Sequence, residues 1–123
     1  ASFVAQSFAG DIPHVTKMIE LGIKHEGFSL VNILQPCVSF NRINTYQYYL
    51  KNAYKVSADY DPTSFDQALL KAVEMDSEKF PLGVIYENNN PPYHRQVPAF
   101  SSDSALWKRP KLSSLNPLIE EYK

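Results

Sequence analysis

Cys37, in the stretch QPCVSFN, is the only cysteine among 123 residues. It is also the side chain with the widest chemical reach, because a thiolate serves as a nucleophile or as a soft-metal ligand. A nucleophilic role requires a base within reach of the sulfur. None of the three histidines, His14, His25 and His94, stands at a spacing that ties it to Cys37, and all three are expected on the surface. A zinc centre built by this chain alone lacks any CxxC or HxxxH pair. Four glycines form neither GxGxxG nor GxxxxGK[ST], which removes the common phosphate loops. Two readings of Cys37 stay open on residue pattern: a small packed hydrophobe, or a functional thiol on a loop. Asp11, after Gly10, either caps a helix or faces an anion there, and the cap is the simpler expectation.

The elements around these residues follow from their spacing. SFVAQSF (2–8) reads as a strand, and Asp11 with Pro13 opens a helix whose Ile12, Val15, Ile19 and Ile23 share one face. Gly27 closes it. FSLVNIL (28–34) shows little alternation, as in a parallel strand covered on both faces. Cys37 therefore falls just past the carboxyl end of a strand, where open α/β sheets collect their ligands. NTYQYYLKNAYK (44–55) predicts a helix with Tyr46, Tyr49, Leu50 and Ala53 on one side. Its lack of interleaved arginines favours packing over base stacking. DPTSFDQALLKAVEMD predicts another helix, capped by Asp61, with Pro62 at its first position and Phe65, Leu69, Ala72 and Val73 on one face. FPLGVIYE (80–87) is the third strand. The alternation predicts an α/β layered domain on a small, mostly parallel sheet, whose uncovered edges call for strands from elsewhere.

Composition limits the partners. With 44% apolar and 20% charged residues and a net charge of −1, the chain has the make-up of a soluble globular domain. No diffuse positive field exists for nucleic acid, and WKRPK (107–111) is a short basic run on an expected surface turn. The longest apolar stretches fall well short of the roughly 18 residues a membrane span needs. ASFVAQSFAGD shows no secretory pattern, and one cysteine forms no internal disulfide, so a cytoplasmic setting is expected. From Asn88 onward five of the nine prolines appear without sustained periodicity. Residues 88–123 are thus expected as an extended tail whose Tyr93, Phe100, Leu106, Trp107 and Leu112 lie against this domain or a neighbour.

FVAQSFAGD, HEGFSLVNILQPCVSFN, NTYQYYLKNAYKV, YDPTSFDQALLKAVE and KFPLGVIYEN, in that order, resemble landmarks in the C-terminal half of the β subunit of 2-oxoacid:ferredoxin oxidoreductases. The resemblance covers about residues 1–90. It implies a partial three-layer thiamine-diphosphate-binding fold over residues 1–87. QPCVSFN looks more like the 2-oxoglutarate or broad 2-oxoacid branch than the pyruvate branch, whose segment typically reads PCPTGW. Ser39 stands where relatives often have Thr, and Gln6 where Arg is frequent.

The resemblance also implies the chemistry: oxidative decarboxylation of a 2-oxoacid to an acyl-CoA, with electrons passed to ferredoxin and an α subunit as partner. The complete subunit is expected to hold thiamine diphosphate, Mg²⁺ and a [4Fe-4S] cluster. The family's CxxC and GDGD-type motifs are not in this sequence, so the chain alone is expected to be inactive. By the same resemblance Cys37 is the remaining cluster ligand, with Phe40 and Asn41 shaping the cofactor surroundings. The rival expectation is a subunit-interaction module in which Cys37 is structural.

Overall fold

The computed structural model describes residues 1–74 and 79–98. Contacts divide the chain into two units, residues 1–90 and 91–123. The first contains β1 (Phe3–Phe8), α1 (Ile12–Lys24), β2 (Ser29–Leu34), α2 (Tyr46–Asn52), β3 (Ala53–Lys55), α3 (Phe65–Glu74) and β4 (Phe80–Glu87). In the second, one helical turn, α4 (Tyr93–Gln96), stands where an extended tail is expected. The expectations for Phe100, Leu106, Trp107, Leu112 and the basic run at 107–111 lie outside the described residues, as do residues 75 and 76 at the end of the third predicted helix.

The four strands form one sheet in the order β2-β1-β4-β3. β1 runs parallel to β2, and β3 parallel to β4, but β1 and β4 are antiparallel, so the small α/β sheet is mixed. β1 is central and almost wholly buried. Phe3, Ala5 and Met18 form the core, with Leu21, Val31 and Val84 packed against it. A register shift between Val4 and Ala5 marks a bulge in the β1–β4 ladder.

α1 is the crossover between β1 and β2. Asp11 Oδ1 accepts from the His14 amide at 3.1 Å, which settles its role as a cap, and Pro13 occupies the first turn, where its missing N–H costs nothing. The helix ends when the His25 amide donates to Leu21 O at 3.0 Å. Gly27, at φ +148°, then turns the chain into β2 in a conformation that a side chain would strain.

Three expectations are corrected. First, Ala53–Lys55 leaves the predicted second helix and becomes a fourth strand, because its backbone finds a parallel partner in Phe80–Leu82. Second, α3 starts at Phe65, not Pro62. Asp61 Oδ1 is engaged by the Thr63 amide and hydroxyl at 2.9 and 2.7 Å, and Ser64 Oγ accepts from the Gln67 amide as the actual cap. Third, β2 is not covered on both faces: it is an edge strand, with Leu30 and Ile33 exposed. The shared rows of the two helices are not the sides that meet the sheet. In α1 the sheet side is Met18, Leu21 and Gly22, while Ile12 and Ile23 are 64% and 79% exposed. In α3 Ala68 is buried, and Phe65, Leu69 and Val73 are exposed.

α3 is fastened to β3 by a polar network. Lys71 Nζ donates to Tyr54 Oη at 3.0 Å and to Glu74 Oε1 at 2.8 Å, while the Tyr54 hydroxyl donates to Glu74. Burial, then the hydrogen bond to Glu74, pushes the Tyr54 hydroxyl above its ordinary pKa.

Candidate functional site

The strand directions decide which loops meet. β1 and β2 end at one rim of the sheet, and β3 and β4, running the other way, begin there. The turn at Ala9–Asp11, the loop 35–45 and α2 all arrive at this rim. Ala9 N donates to Leu34 O at 2.9 Å, which ties the two exits together. Beside them Phe8, Tyr49 and Phe80 form an aromatic cluster, with ring centroids 5.6 Å apart for Phe8–Tyr49 and 5.3 Å for Tyr49–Phe80. That cluster seats α2 on the sheet, so the loop before α2 is anchored at both ends.

Within the loop, two successive turns are closed by hydrogen bonds. Cys37 O accepts from the amides of Phe40 and Asn41 at 3.3 and 2.8 Å. Asn41 Oδ1 then accepts from the amides of Ile43 and Asn44 at 2.9 and 3.0 Å. Thr45 Oγ1 follows as the cap of α2. The Asn side chain thus mimics a backbone turn, a usual reason for Asn at such positions. The free thiol of Cys37 is exposed, and Phe40 is 94% exposed, flanked by exposed Val38 and Ile43.

This arrangement presents one soft donor and a large ring to whatever lies beyond the rim. Among the described residues no group of three or more His, Cys, Asp or Glu could hold a metal ion. The residues therefore fit a cluster only as a single corner ligand completed by other polypeptide, and they supply no donor set for Mg²⁺ or a diphosphate.

A second feature lies beside α1, over β3 and β4: a cleft of about 430 Å³ lined by Asp11, His14, Lys17, Lys55 and Gly83, among others. Asp11 Oδ2 pairs with Lys55 Nζ at 3.0 Å, and this hydrogen bond, followed by that from the His14 amide, holds the Asp11 carboxyl below its ordinary pKa. His14 Nδ1 is hydrogen-bonded to the fully buried Ser7 Oγ at 2.7 Å. Burial lowers the His14 pKa, with nearby Lys55 and Lys17 assisting and Asp11 opposing.

His14 and His25 are therefore not the surface histidines expected. The His25 side chain is 7% exposed, with Nε2 hydrogen-bonded to Ser2 Oγ at 2.8 Å and its ring tilted on Phe3. Neither approaches the role of a base for Cys37, since each is engaged elsewhere. Gln6 is also internal. It donates from Nε2 to Pro81 O at 2.9 Å and accepts from Asn32 Nδ2 at 2.8 Å, bridging three strands. The Ser7–His14 and Asp11–Lys55 pairs have no signature in the sequence, because they depend on which residues of β1 and β3 face α1, and β3 itself carries a helical pattern.

Comparison with known proteins places this geometry. The model of the family described as the C-terminal part of the pyruvate ferredoxin oxidoreductase beta subunit matches residues 37–102, starting at the cysteine. The 2-oxoacid:ferredoxin oxidoreductase subunit beta of a Sulfolobus species is 31% identical over 143 aligned positions, covering 98% of this chain and 46% of that relative. Its counterpart from Saccharolobus solfataricus is 34% identical, covering 85% and 38%. A solved 2-oxoglutarate:ferredoxin oxidoreductase from Magnetococcus marinus, with 2-oxoglutarate, coenzyme A and succinyl-CoA bound, superposes with a TM-score of 0.73 at 26% identity. The match takes in 100% of this chain and 41% of that one. The chain thus spans less than half the length of these relatives. With the family model matching more than half of its residues, the chain belongs to the family formed by the C-terminal part of pyruvate ferredoxin oxidoreductase β subunits.

Proposed function

We propose that this chain forms the C-terminal part of the β subunit of a 2-oxoacid:ferredoxin oxidoreductase of the 2-oxoglutarate type, and that Cys37 is one thiolate ligand of its [4Fe-4S] cluster. The observation that carries the reading is the exposed thiol on a doubly pinned loop at the sheet rim. An exposed sulfur suits a shared site, and four-cysteine clusters commonly draw a ligand from a distant part of the polypeptide. The 2-oxoglutarate assignment draws support from the QPCVSFN segment and from the ligands bound in the Magnetococcus marinus enzyme.

In the complete enzyme, thiamine diphosphate with Mg²⁺ supplies the decarboxylation of the 2-oxoacid and the cluster supplies one-electron transfer. The part played by these residues is positional. Asn41 holds the loop in the conformation that presents Cys37, and the exposed Phe40 ring beside it would shield a cluster held there from water. The α subunit, ferredoxin and coenzyme A complete the reaction, which releases an acyl-CoA. This chain alone is inactive, since one thiol does not assemble a cubane.

The test is Cys37→Ser in the complete subunit, read as iron and acid-labile sulfide per subunit and as the electron paramagnetic resonance signal of the reduced protein. Loss of the cubane signal and of bound iron is expected. An unaltered signal with full iron content would overturn the ligand assignment.

A further inference from the structure

The cleft beside α1 takes no part in presenting Cys37, yet its wall is chemically sorted. Asp11, His14, Lys17 and Lys55 are the titratable side chains that line it, and Met18, Val56 and Leu82 give it an apolar side. Its volume of about 430 Å³ lies in the range of small-molecule sites.

The two lysines come from different elements, Lys17 from α1 and Lys55 from β3, and both ammonium groups lie near enough to the His14 ring to oppose its protonation. Three nitrogen donors thus converge. Lys55 Nζ is shared with Asp11 Oδ2 at 3.0 Å, whereas Lys17 forms no ion pair among the described residues, its helical neighbour Glu20 being taken by Lys24. His14 is held in one tautomer. Ser7 is fully buried and its hydroxyl finds His14 Nδ1 at 2.7 Å as its hydrogen-bond partner, so the hydroxyl donates to Nδ1 and the ring proton sits on Nε2. Nε2–H is then the ring's remaining donor.

We infer that this cleft binds a short aliphatic monocarboxylate, its head held by Lys17, Lys55 and the His14 Nε2–H and its chain laid on Met18, Val56 and Leu82. Charge selects the class. With the imidazole neutral, two lysines against the single Asp11 leave one positive charge, which one carboxylate balances and a phosphate dianion or a dicarboxylate would exceed. The apolar side favours a body of a few carbons over a bare ion. Asp11 competes with such a ligand for Lys55, which sets the sign of its effect. The inference goes beyond the β-subunit reading and does not depend on the role of Cys37.

Isothermal titration calorimetry of the complete subunit with butyrate, at about pH 7.5 where an imidazole of this kind is neutral, tests it. Lys17→Gln is expected to weaken butyrate by about tenfold. Asp11→Asn keeps a helix-capping side chain and releases Lys55, so it is expected to tighten butyrate by about threefold or more. Acetate, two methylenes shorter, is expected to bind about tenfold more weakly than butyrate, and butylammonium not at all. Absence of butyrate binding would overturn the inference. So would an affinity indifferent to both substitutions, which would put the ligand elsewhere, or a weaker one in Asp11→Asn, which would make the ion pair rather than the released lysine the basis of binding. Inorganic phosphate bound as tightly as butyrate would overturn it too, by reducing the cleft to a bare anion hole.

Discussion

Asn32 donates its side-chain N–H to Gln6 Oε1 at 2.8 Å, joining β2 to β1 beneath the backbone ladder, and Gln6 passes the connection on to Pro81 O in β4. Gln6 is 5% exposed, so its amide is satisfied by strands rather than by solvent or a ligand. Its neutral amide makes it a cross-sheet brace. Gln6→Leu removes both bonds and strands the Pro81 carbonyl. A loss of about 1–3 kcal/mol in urea unfolding is expected. No change in midpoint would show that the brace contributes nothing.

Gly83 sits opposite Gln6 in the β1–β4 register at φ +144°, and a Cβ there would stand 2.5 Å from Val56 Cγ2. Gly83→Ala therefore suffers twice, from backbone strain of about 1–3 kcal/mol and from the clash. Adding Val56→Ala relieves only the clash. Partial recovery of the melting temperature in the double variant is expected, and full recovery would mean that the backbone conformation carries no strain.

The His14 ring, bonded to buried Ser7 and facing Lys55 and Lys17 across from Asp11, has its pKa held below the ordinary 6.5 chiefly by burial. Unfolded chains then bind this proton more readily than folded ones. The His14 contribution to stability is complete above pH 6.5 and falls away as the pH drops from 6.5 through the lower folded-state value. Urea midpoints of the native chain and of His14→Gln, compared above and below pH 6.5, are expected to show a shallower acid decline in the variant. Parallel declines would contradict the assignment.

The long, strongly punctuated elements are legible in the sequence. Asp11 and Pro13 announce α1, Gly27 its exit, and FPLGVIYE the central partner of β1. The family landmarks locate Cys37 at a strand exit. What spacing leaves open is which side of a helix meets the sheet. Ile12, Ile19 and Ile23 do share a face, but α1 turns Met18, Leu21 and the slender Gly22 to the sheet instead. Periodicity reports that residues share a face, and not which way that face turns. β3 is hidden because Ala53–Lys55 continues a helical pattern and only a long-range partner makes it a strand. The polar pairs Ser7–His14 and Asp11–Lys55 are hidden for the same reason.

The central claim is that Cys37 is a cluster ligand, and differential alkylation of the complete subunit tests it most directly. Iodoacetamide labelling of Cys37 is followed by mass spectrometry before and after iron is removed by a chelator under reducing conditions. Cys37 is predicted to resist labelling in the iron-loaded protein and to become reactive once iron is gone. Equal reactivity in both states would contradict it.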